Sequence, residues 1–361
     1  MASCLFITSK ADEEGQSKER GRVWVGVSLF LLAGLILLMV GDGRAQDASL
    51  VKDINSLGSS NPQSLTNVNG TLYFSATDGV NGTELWKSDG TAAGTVMVKN
   101  INVSGSSNPQ FLTNVNGTLY FSATDGVNGT ELWKSDGTAA GTVMVEDINP
   151  GIDNSNPQSL IGIGDVLYFS ATDGVNGTEL WKSDGTAAGT VMVRNINVSG
   201  PSNPQFLTNV DGTLYFSAAD AVNGTELWKS DGTAAGTVMV RNINVSGSSN
   251  PQFLTDVNGT LYFSAADAVN GTELWESDGT TAGTIMVDSI NVSGSSNPQF
   301  LTDVDGTLYF SATDGVNGTE LWRLGGETPP KETTVEDGGC FIVTAAQSER
   351  PGAKGRISLT K

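Results

Sequence analysis

A single unit of about 47 residues repeats six times along this 361-residue chain. The tryptophans that mark the unit stand 47 or 48 residues apart, at Trp86, Trp133, Trp181, Trp228, Trp275 and Trp322. A period of about 40 to 50 residues with many short strand-like segments is typical of propeller blades, whereas helical solenoids carry an apolar pattern of about 3.6 residues. The 45 glycines fit short strands joined by tight turns.

Each unit contains four predicted strands. In the second unit, NPQFLTNV forms the first strand and the Asn116-Gly117 pair that follows is a strong hairpin signal. The segments TLYFSATD, ELWKSD and TVMVED supply the other three strands. The residue that follows the Val-Met-Val core of the fourth strand is Lys, Glu, Arg or Asp in different units, so we expect this strand to be the solvent-facing outer edge.

The array begins and ends out of phase. The last unit stops after ELWRLGG without a fourth strand, while SLVKDI at Ser49–Ile54 resembles a fourth strand that precedes the first unit. We therefore predict an all-β fold, a six-bladed β-propeller of four-stranded blades, with the ring closed by the N-terminal strand pairing beside Glu320–Arg323 in the last blade. A closed ring leaves no open sheet edge. We expect the protein to be a monomer.

The two ends of the chain have different predicted roles. Basic residues before an apolar run at 23–40, followed by Gly43-Arg44-Ala45, predict a signal peptide at 1–45 that is cleaved after Ala45. An uncleaved signal anchor is the alternative. Both place the propeller, residues 46–326, outside the cytoplasm, in the periplasm, at the cell surface or in the extracellular space. Residues 327–361 are expected to be a flexible tail.

The net charge of −20 falls entirely within the repeats, because the two ends each carry equal numbers of acidic and basic residues. Such a surface repels phosphate groups, so nucleic acid is excluded as a partner, and contact with a membrane is expected only through an uncleaved N-terminal segment. A glycan, a surface protein or a metal cation remain as partners.

The chain has no histidine, which excludes Ser-His-Asp and Cys-His catalysis. Only carboxylate chemistry is left, as in a glycosidase or lyase with its site in the propeller channel. Near-identical repeats argue against an enzyme, because a catalytic site normally needs one blade to differ. We predict a non-catalytic binding or scaffolding module, with the carbohydrate-active enzyme as the alternative. The divergent third unit, at 150–166, is where a unique site is most expected.

The Asp-Gly-Val-Asn-Gly-Thr-Glu loop between the second and third strands offers oxygen ligands for Ca²⁺. The candidate ligands are its six aspartates, Asp78, Asp125, Asp173, Asp220, Asp267 and Asp314. In the alternative interpretation these side chains cap the turn by accepting bonds from backbone N–H groups. We interpret the Ser-Asp-Gly-Thr turn as structural and the six tryptophans as core between blades. No other cofactor is expected.

Two segments resemble known families. ELWKSDGTAAGTVMVKNI, from Glu84 to Ile101, is similar to the bacterial ELWxxDGT repeat family, and the likeness covers 49–323. It implies an exported, propeller-like region without an established activity. GGCFIVTAAQS, from Gly338 to Ser348, resembles the CFI-box C-terminal motif of exported bacterial proteins, although Val343 and Gln347 depart from it. That resemblance makes Cys340 a candidate processing or attachment point.

Overall fold

A computed structural model describes residues 47–325. The predicted signal segment at 1–45 and the tail at 327–361 lie outside these residues. All regular structure in the described part is β-strand, 23 strands in six antiparallel sheets, which confirms the all-β prediction. Across residues 47–325, no helix is long and apolar enough to cross a membrane.

The strands repeat in the predicted order within each unit. The first strands are β1 (Gln63–Val68), β5 (Gln110–Val115), β9 (Gln158–Ile163), β13 (Gln205–Val210), β17 (Gln252–Val257) and β21 (Gln299–Val304). The second strands are β2 (Thr71–Thr77), β6 (Thr118–Thr124), β10 (Val166–Thr172), β14 (Thr213–Asp220), β18 (Thr260–Asp267) and β22 (Thr307–Thr313). The third strands are β3 (Thr83–Ser88), β7 (Thr130–Ser135), β11 (Thr178–Ser183), β15 (Gly224–Ser230), β19 (Gly271–Ser277) and β23 (Thr319–Leu324). The fourth strands are β4 (Val96–Lys99), β8 (Val143–Glu146), β12 (Val191–Arg194), β16 (Val238–Arg241) and β20 (Ile285–Asp288).

Within a sheet the strands pair in chain order, so the first and fourth strands form opposite edges. The hairpin between the first two strands turns where the sequence predicts it, at Asn69-Gly70, whose φ angles of 49° and 85° are both left-handed. Two left-handed residues are what a two-residue hairpin turn requires, because its twist then matches that of the strands. Five sheets have four strands and the last sheet has three.

Consecutive sheets pack face to face, and their apolar residues form a core at each interface. Between the first two sheets, Leu85 and Ile101 pack with Leu119, Phe121 and Trp133. The first strands of neighbouring sheets lie beside each other, so the fourth strands lie on the outer edge, as predicted. The result is a propeller-like array of repeated units, each stabilised mainly by its neighbours.

The predicted closing strand is not formed. No described residue before Gln63 is in a strand, and β23 remains an edge with Leu321 76% exposed. Lys52 donates instead to the Thr95 carbonyl of the first sheet, at 2.7 Å, and Ile54 packs in that sheet's core cluster. The phase of the repeats correctly relates this segment to a fourth strand. The phase of the repeats does not indicate whether the array curves enough to bring the last sheet to this segment.

Candidate functional site

The six candidate calcium ligands occupy equivalent turns and cap them. The Asp78 Oδ1 atom accepts bonds from the backbone N–H groups of Val80 and Asn81, at 2.9 and 2.8 Å, and Oδ2 accepts one from the Asn81 side chain at 2.7 Å. The backbone N–H of Asn81 is the main cause that lowers the pKa of Asp78. The same three bonds recur at the other five positions, Asp125, Asp173, Asp220, Asp267 and Asp314.

These aspartates lie beside the linker that joins one unit to the next. Asn81, whose amide bonds Asp78, accepts a 3.0 Å bond through its Oδ1 from Asn100, and the Thr83 N–H donates to Ser106 Oγ at 2.9 Å. Within residues 47–325, no three or more acidic, cysteine or histidine side chains cluster closely enough to hold a metal. The contacts of the six aspartates therefore show turn capping, while calcium binding by these residues stays a prediction.

The Ser-Asp-Gly-Thr turn is a closed hydrogen-bonded unit. Asp89 Oδ1 accepts from the N–H and the hydroxyl of Thr91, at 2.9 and 2.8 Å, and Thr91 Oγ1 accepts from the Gly94 N–H. The Ser88 and Thr95 hydroxyls meet at 2.7 Å across the base of the turn. This network supports the structural interpretation of the motif.

The repeat tryptophans belong to the core. Five of them are buried, and Trp322 packs partly buried in the last core cluster. The indole N–H groups differ between units, since Trp275 donates to the Ala265 carbonyl at 3.1 Å whereas the buried Trp133 Nε1 has no hydrogen-bond partner. A buried ring between two sheets cannot serve as a sugar platform, so the interpretation of these residues as core is confirmed.

The glutamate of each ELW motif has a role that sequence reasoning missed. Glu84 is fully buried, and its carboxylate accepts bonds from the Ile101 N–H at 2.9 Å, the Ser107 N–H at 3.0 Å and the Ser107 hydroxyl at 2.6 Å. The same carboxylate ties the linker at Glu131, Glu179 and Glu226, and Glu273 accepts both bonds from Ser296. The signal was an acidic residue that does not vary between units and that directly precedes the apolar Leu-Trp pair of the third strand.

Burial raises the pKa of Glu131 to about 7, even though the bonds from Ser155 and Ile148 act in the opposite direction. A carboxyl with such a pKa resembles a general acid. However, Glu131 has no exposed surface and all its hydrogen bonds are made within the fold, so no substrate reaches it. Glu131 therefore connects the third strand of one unit to the linker that leads into the next unit.

Polar clefts lie between consecutive sheets at the NPQ segments. The cleft between the fourth and fifth sheets has a volume of about 250 Å³, and the next cleft along has about 240 Å³. The first is lined by Ser202, Asn203, Gln205, Phe206, Ser217, Ala219, Thr225, Asn250, Pro251 and Gln252. The second is lined by the residues at the matching repeat positions, Ser249, Asn250, Gln252, Phe253, Ser264, Ala266, Thr272, Asn297, Pro298 and Gln299. We call these two the amide clefts, and neither is lined by a charged side chain.

An aromatic row runs beside the amide clefts. The Phe206 and Phe253 rings lie 6.2 Å apart between centroids, and Phe253 and Phe300 lie 5.9 Å apart. Phe206 and Phe300 are exposed, and each of the three rings sits at the irregular pairing after the NPQ glutamine. We call Phe206, Phe253 and Phe300 the phenylalanine row.

The backbone beneath the phenylalanine row is strained. Phe253 has a φ of 54°, and Phe206 and Phe300 have 55°. A bulky side chain in the left-handed region costs about 1–2 kcal/mol per residue. Strain of this kind concentrates at functional sites, and here it accompanies exposed rings at Phe206 and Phe300 and a half-buried ring at Phe253.

The divergent third unit interrupts this aromatic pattern. Ser159 occupies the position that Phe206 occupies in the next unit, with the same left-handed φ of 54°. A wider cavity of about 460 Å³ lies at this point, lined by Gln158, Ser159, Leu160, Ile161, Gln205, Phe206 and Leu207. The place where the sequence predicts a unique site therefore has a more apolar wall than the amide clefts, while its serine is shared with the first unit, which has Ser64 at the same position.

No protein-family model matches the sequence, and no curated protein matches it. Solved structures with a similar arrangement of strands include puromycin hydrolase, at 16% identity and a TM-score of 0.42, with 70% of this chain and 42% of that one covered. Prolyl oligopeptidase B from Galerina marginata has 13% identity and a TM-score of 0.48, covering 73% of this chain and 42% of that one. A puromycin-hydrolyzing peptidase of Mycobacterium tuberculosis has 11% identity and a TM-score of 0.40, covering 70% and 42%. The chain thus spans less than half the length of these peptidases.

Proposed function

We propose that this protein is an exported, non-catalytic binding module that takes neutral, hydroxyl-rich ligands, above all glycans, in its amide clefts. The observation that carries the proposal is the recurrence of an uncharged Asn- and Gln-lined cleft beside a strained phenylalanine, which is exposed at Phe206 and half-buried at Phe253. Export is proposed from the N-terminal sequence pattern, and the module would act at the bacterial surface or in the extracellular space.

The chemistry of the clefts suits a sugar. Amide side chains carry both donors and acceptors, so Gln205 and Gln252 can pair with hydroxyl groups in either sense. Aromatic rings offer an apolar face with a large contact area, which suits the C–H face of a pyranose. The net negative charge of the repeats disfavours phosphorylated or otherwise anionic ligands.

Repetition suits a ligand that is itself repetitive. Gln252 and Asn250 line both amide clefts, so neighbouring sites share side chains and form a continuous strip. Weak sites joined in this way gain avidity for a polymer or a dense surface without any single tight contact. A surface protein bearing glycans would present the same chemistry.

A glycan array printed at several densities tests the proposal. We expect retention of neutral glycans that rises steeply with density, with no change in the printed sugars. Gln252→Ala and Phe253→Ser should each reduce retention, and serine at position 253 is compatible with the backbone because Ser159 adopts the same φ. The control is Val269→Ala, at an exposed loop position away from the clefts. Equal retention by all three variants would contradict the proposal.

The alternative activity, a carboxylate glycosidase or lyase, makes a different prediction on the same array. It requires a pair of accessible carboxyls and would release reducing ends or unsaturated products. The ELW glutamates from Glu84 to Glu273 are buried, and the loop aspartates are committed to turn bonds. Loss of printed glycan over time would favour the enzyme.

A further inference from the structure

We call the packed contact between two consecutive sheets a joint. The two ends of the array present the two complementary surfaces of such a joint. At every internal joint, the glutamate of a third strand binds the linker that follows the fourth strand, and the next sheet packs over both. In the first joint, Leu85 and Val98 of one sheet meet Leu119 and Phe121 of the next. Five such joints occur within the described residues, so the surface that covers this kind of face is known from the chain itself.

The last sheet presents the first half of a joint. Glu320 is exposed, although its equivalents in the other units are fully buried, and Leu321 is 76% exposed where Leu274 is 1% exposed. Val304, at the inner edge of the same face, is 50% exposed, whereas Val257 is 7% exposed. An apolar face with this composition is one that another sheet normally covers.

The first sheet presents the second half. Lys52 donates to the Thr95 carbonyl as Lys99 donates to that of Thr142, and Ser60 accepts from the Thr77 N–H as Ser107 accepts from that of Thr124. This linker is therefore seated on the first sheet in the same way as the internal linkers are seated on theirs. Among the described residues, no glutamate carboxylate contacts its Ile54 or Ser60, the positions equivalent to Ile101 and Ser107.

The first sheet also lacks apolar partners on this side. The core around Phe121 in the second sheet includes Val68, Leu85 and Val98 from the sheet before it. The cluster around Phe74 includes only its own sheet and Ile54, and Leu72 is partly exposed where Leu119 is fully buried. The missing partners are of the types that Val304 and Leu321 would supply.

We propose that the last sheet of one molecule docks on the first sheet of a second copy, with Glu320 accepting bonds from the Ile54 N–H and from Ser60 of that copy. The contact is head to tail, because the two surfaces differ, so it propagates unless the assembly closes on itself. It is an alternative to the monomer expected from the sequence. Lengthened arrays would also add amide clefts in series.

The net negative charge of the repeats should make this assembly depend on the salt concentration. Each copy carries an acidic repeat region, so the copies repel one another at low ionic strength. The joint itself is apolar apart from one buried carboxylate with hydrogen-bond donors around it. Raising the salt concentration should therefore strengthen association, because salt screens the long-range repulsion and affects the apolar contact little.

Sedimentation velocity of the full-length chain tests the proposal. We expect oligomers that grow with protein concentration and with salt. Leu321→Asp should give monomers with an unchanged thermal melt, because the side chain is exposed in the single molecule. Val316→Asp, at an equally exposed position in a loop of the same sheet, is the matched control and should assemble normally.

A mixing experiment distinguishes this contact from a symmetric one. The L321D chain keeps its first sheet intact, so a small proportion added to the wild-type protein should cap growing assemblies and shorten them. A wild-type protein that stays monomeric at its highest soluble concentration and at high salt would overturn the proposal, as would loss of assembly in V316D. Assembly that stops at symmetric dimers, with a distribution of sizes that added L321D does not change, would also overturn it.

Discussion

The Ser107 hydroxyl donates a 2.6 Å hydrogen bond to the buried carboxylate of Glu84, 23 residues earlier in the chain. Glu84 lies in a third strand and Ser107 lies in the linker that enters the next sheet, so this bond joins one repeat to the next. Since each buried carboxylate is satisfied by donors in the linker that leads into the following repeat, the units are coupled to their neighbours. Because of this coupling, a single repeat of the sequence is not expected to be stable on its own.

Removing one of these carboxylates should destabilise the array. In Glu131→Ala, the buried N–H of Ile148 loses its acceptor, while the Ser155 N–H keeps only the Thr130 carbonyl. A buried group left unsatisfied costs about 1–3 kcal/mol. Chemical denaturation should show a clearly lower midpoint. Glu146→Ala, in the outer strand of the same sheet, removes a partly exposed glutamate and should leave the midpoint close to that of the wild type. Equal midpoints for the two variants would remove the proposed role of the joint.

The pH dependence of stability should follow the same glutamates. Burial raises the pKa of Glu131 from 4.5 to about 7, so its favourable contribution is complete below pH 4.5 and is lost as the pH rises through 7. The pKa of Asp78 is lowered from 3.8 by its turn bonds, so its contribution is present above that value and is lost as the pH falls through the folded-state pKa. Thermal melts should therefore peak near pH 4–5 and decline toward pH 8.

Glu131→Gln provides the check on this assignment. The glutamine side chain at position 131 cannot titrate. The melting temperature of this variant should therefore vary less than that of the wild type between pH 4.5 and 7. A wild-type melting temperature that rises steadily across this interval would contradict the assignment of the titration to the buried glutamates.

Two tryptophans in matched surroundings separate packing from hydrogen bonding. Trp133 and Trp275 are both buried, and each lies beneath a cation, Lys99 or Arg241, at 5.8 Å from the ring centroid. Only Trp275 donates its indole N–H, to Ala265. Trp275→Phe should therefore cost about 1 kcal/mol more than Trp133→Phe, the usual net value of one hydrogen bond. Denaturant titrations of the two variants measure the difference, and a larger cost for Trp133→Phe would reverse the argument.

The strand order and the core were predictable because they depend on local patterns that six copies repeat. Asn69-Gly70 specifies its turn through backbone conformation alone, and the tryptophans mark the apolar face. The cleft and its ring were not predictable, because the left-handed backbone at Phe253 arises from an irregular strand pairing that alternation does not encode. Closure was unpredictable for a related reason, since the angle between sheets depends on side-chain packing at each joint.

Calcium offers a direct test of the loop aspartates. If Asp78 and its equivalents bind Ca²⁺, added calcium should raise the melting temperature and EDTA should lower it, because a ligand that binds only the folded state stabilises it. If these side chains act as turn caps alone, neither addition should shift the melt. Asp125→Asn distinguishes the two further, since the amide oxygen still accepts the two backbone bonds, while the bond from the Asn128 side chain and one negative charge are lost.

The most direct test of the account is a side-chain amide NMR titration with the neutral glycan that the array retains best. We predict that the NH₂ signals of Asn250 and Gln252, which line both amide clefts, shift as the glycan is added. The signals of Asn81, in an aspartate loop, and of Asn100, in the adjoining linker, should stay in place, because these two side chains are bonded to each other. Shifts confined to the loop asparagines, or no shifts at any cleft amide, would contradict glycan binding in the amide clefts.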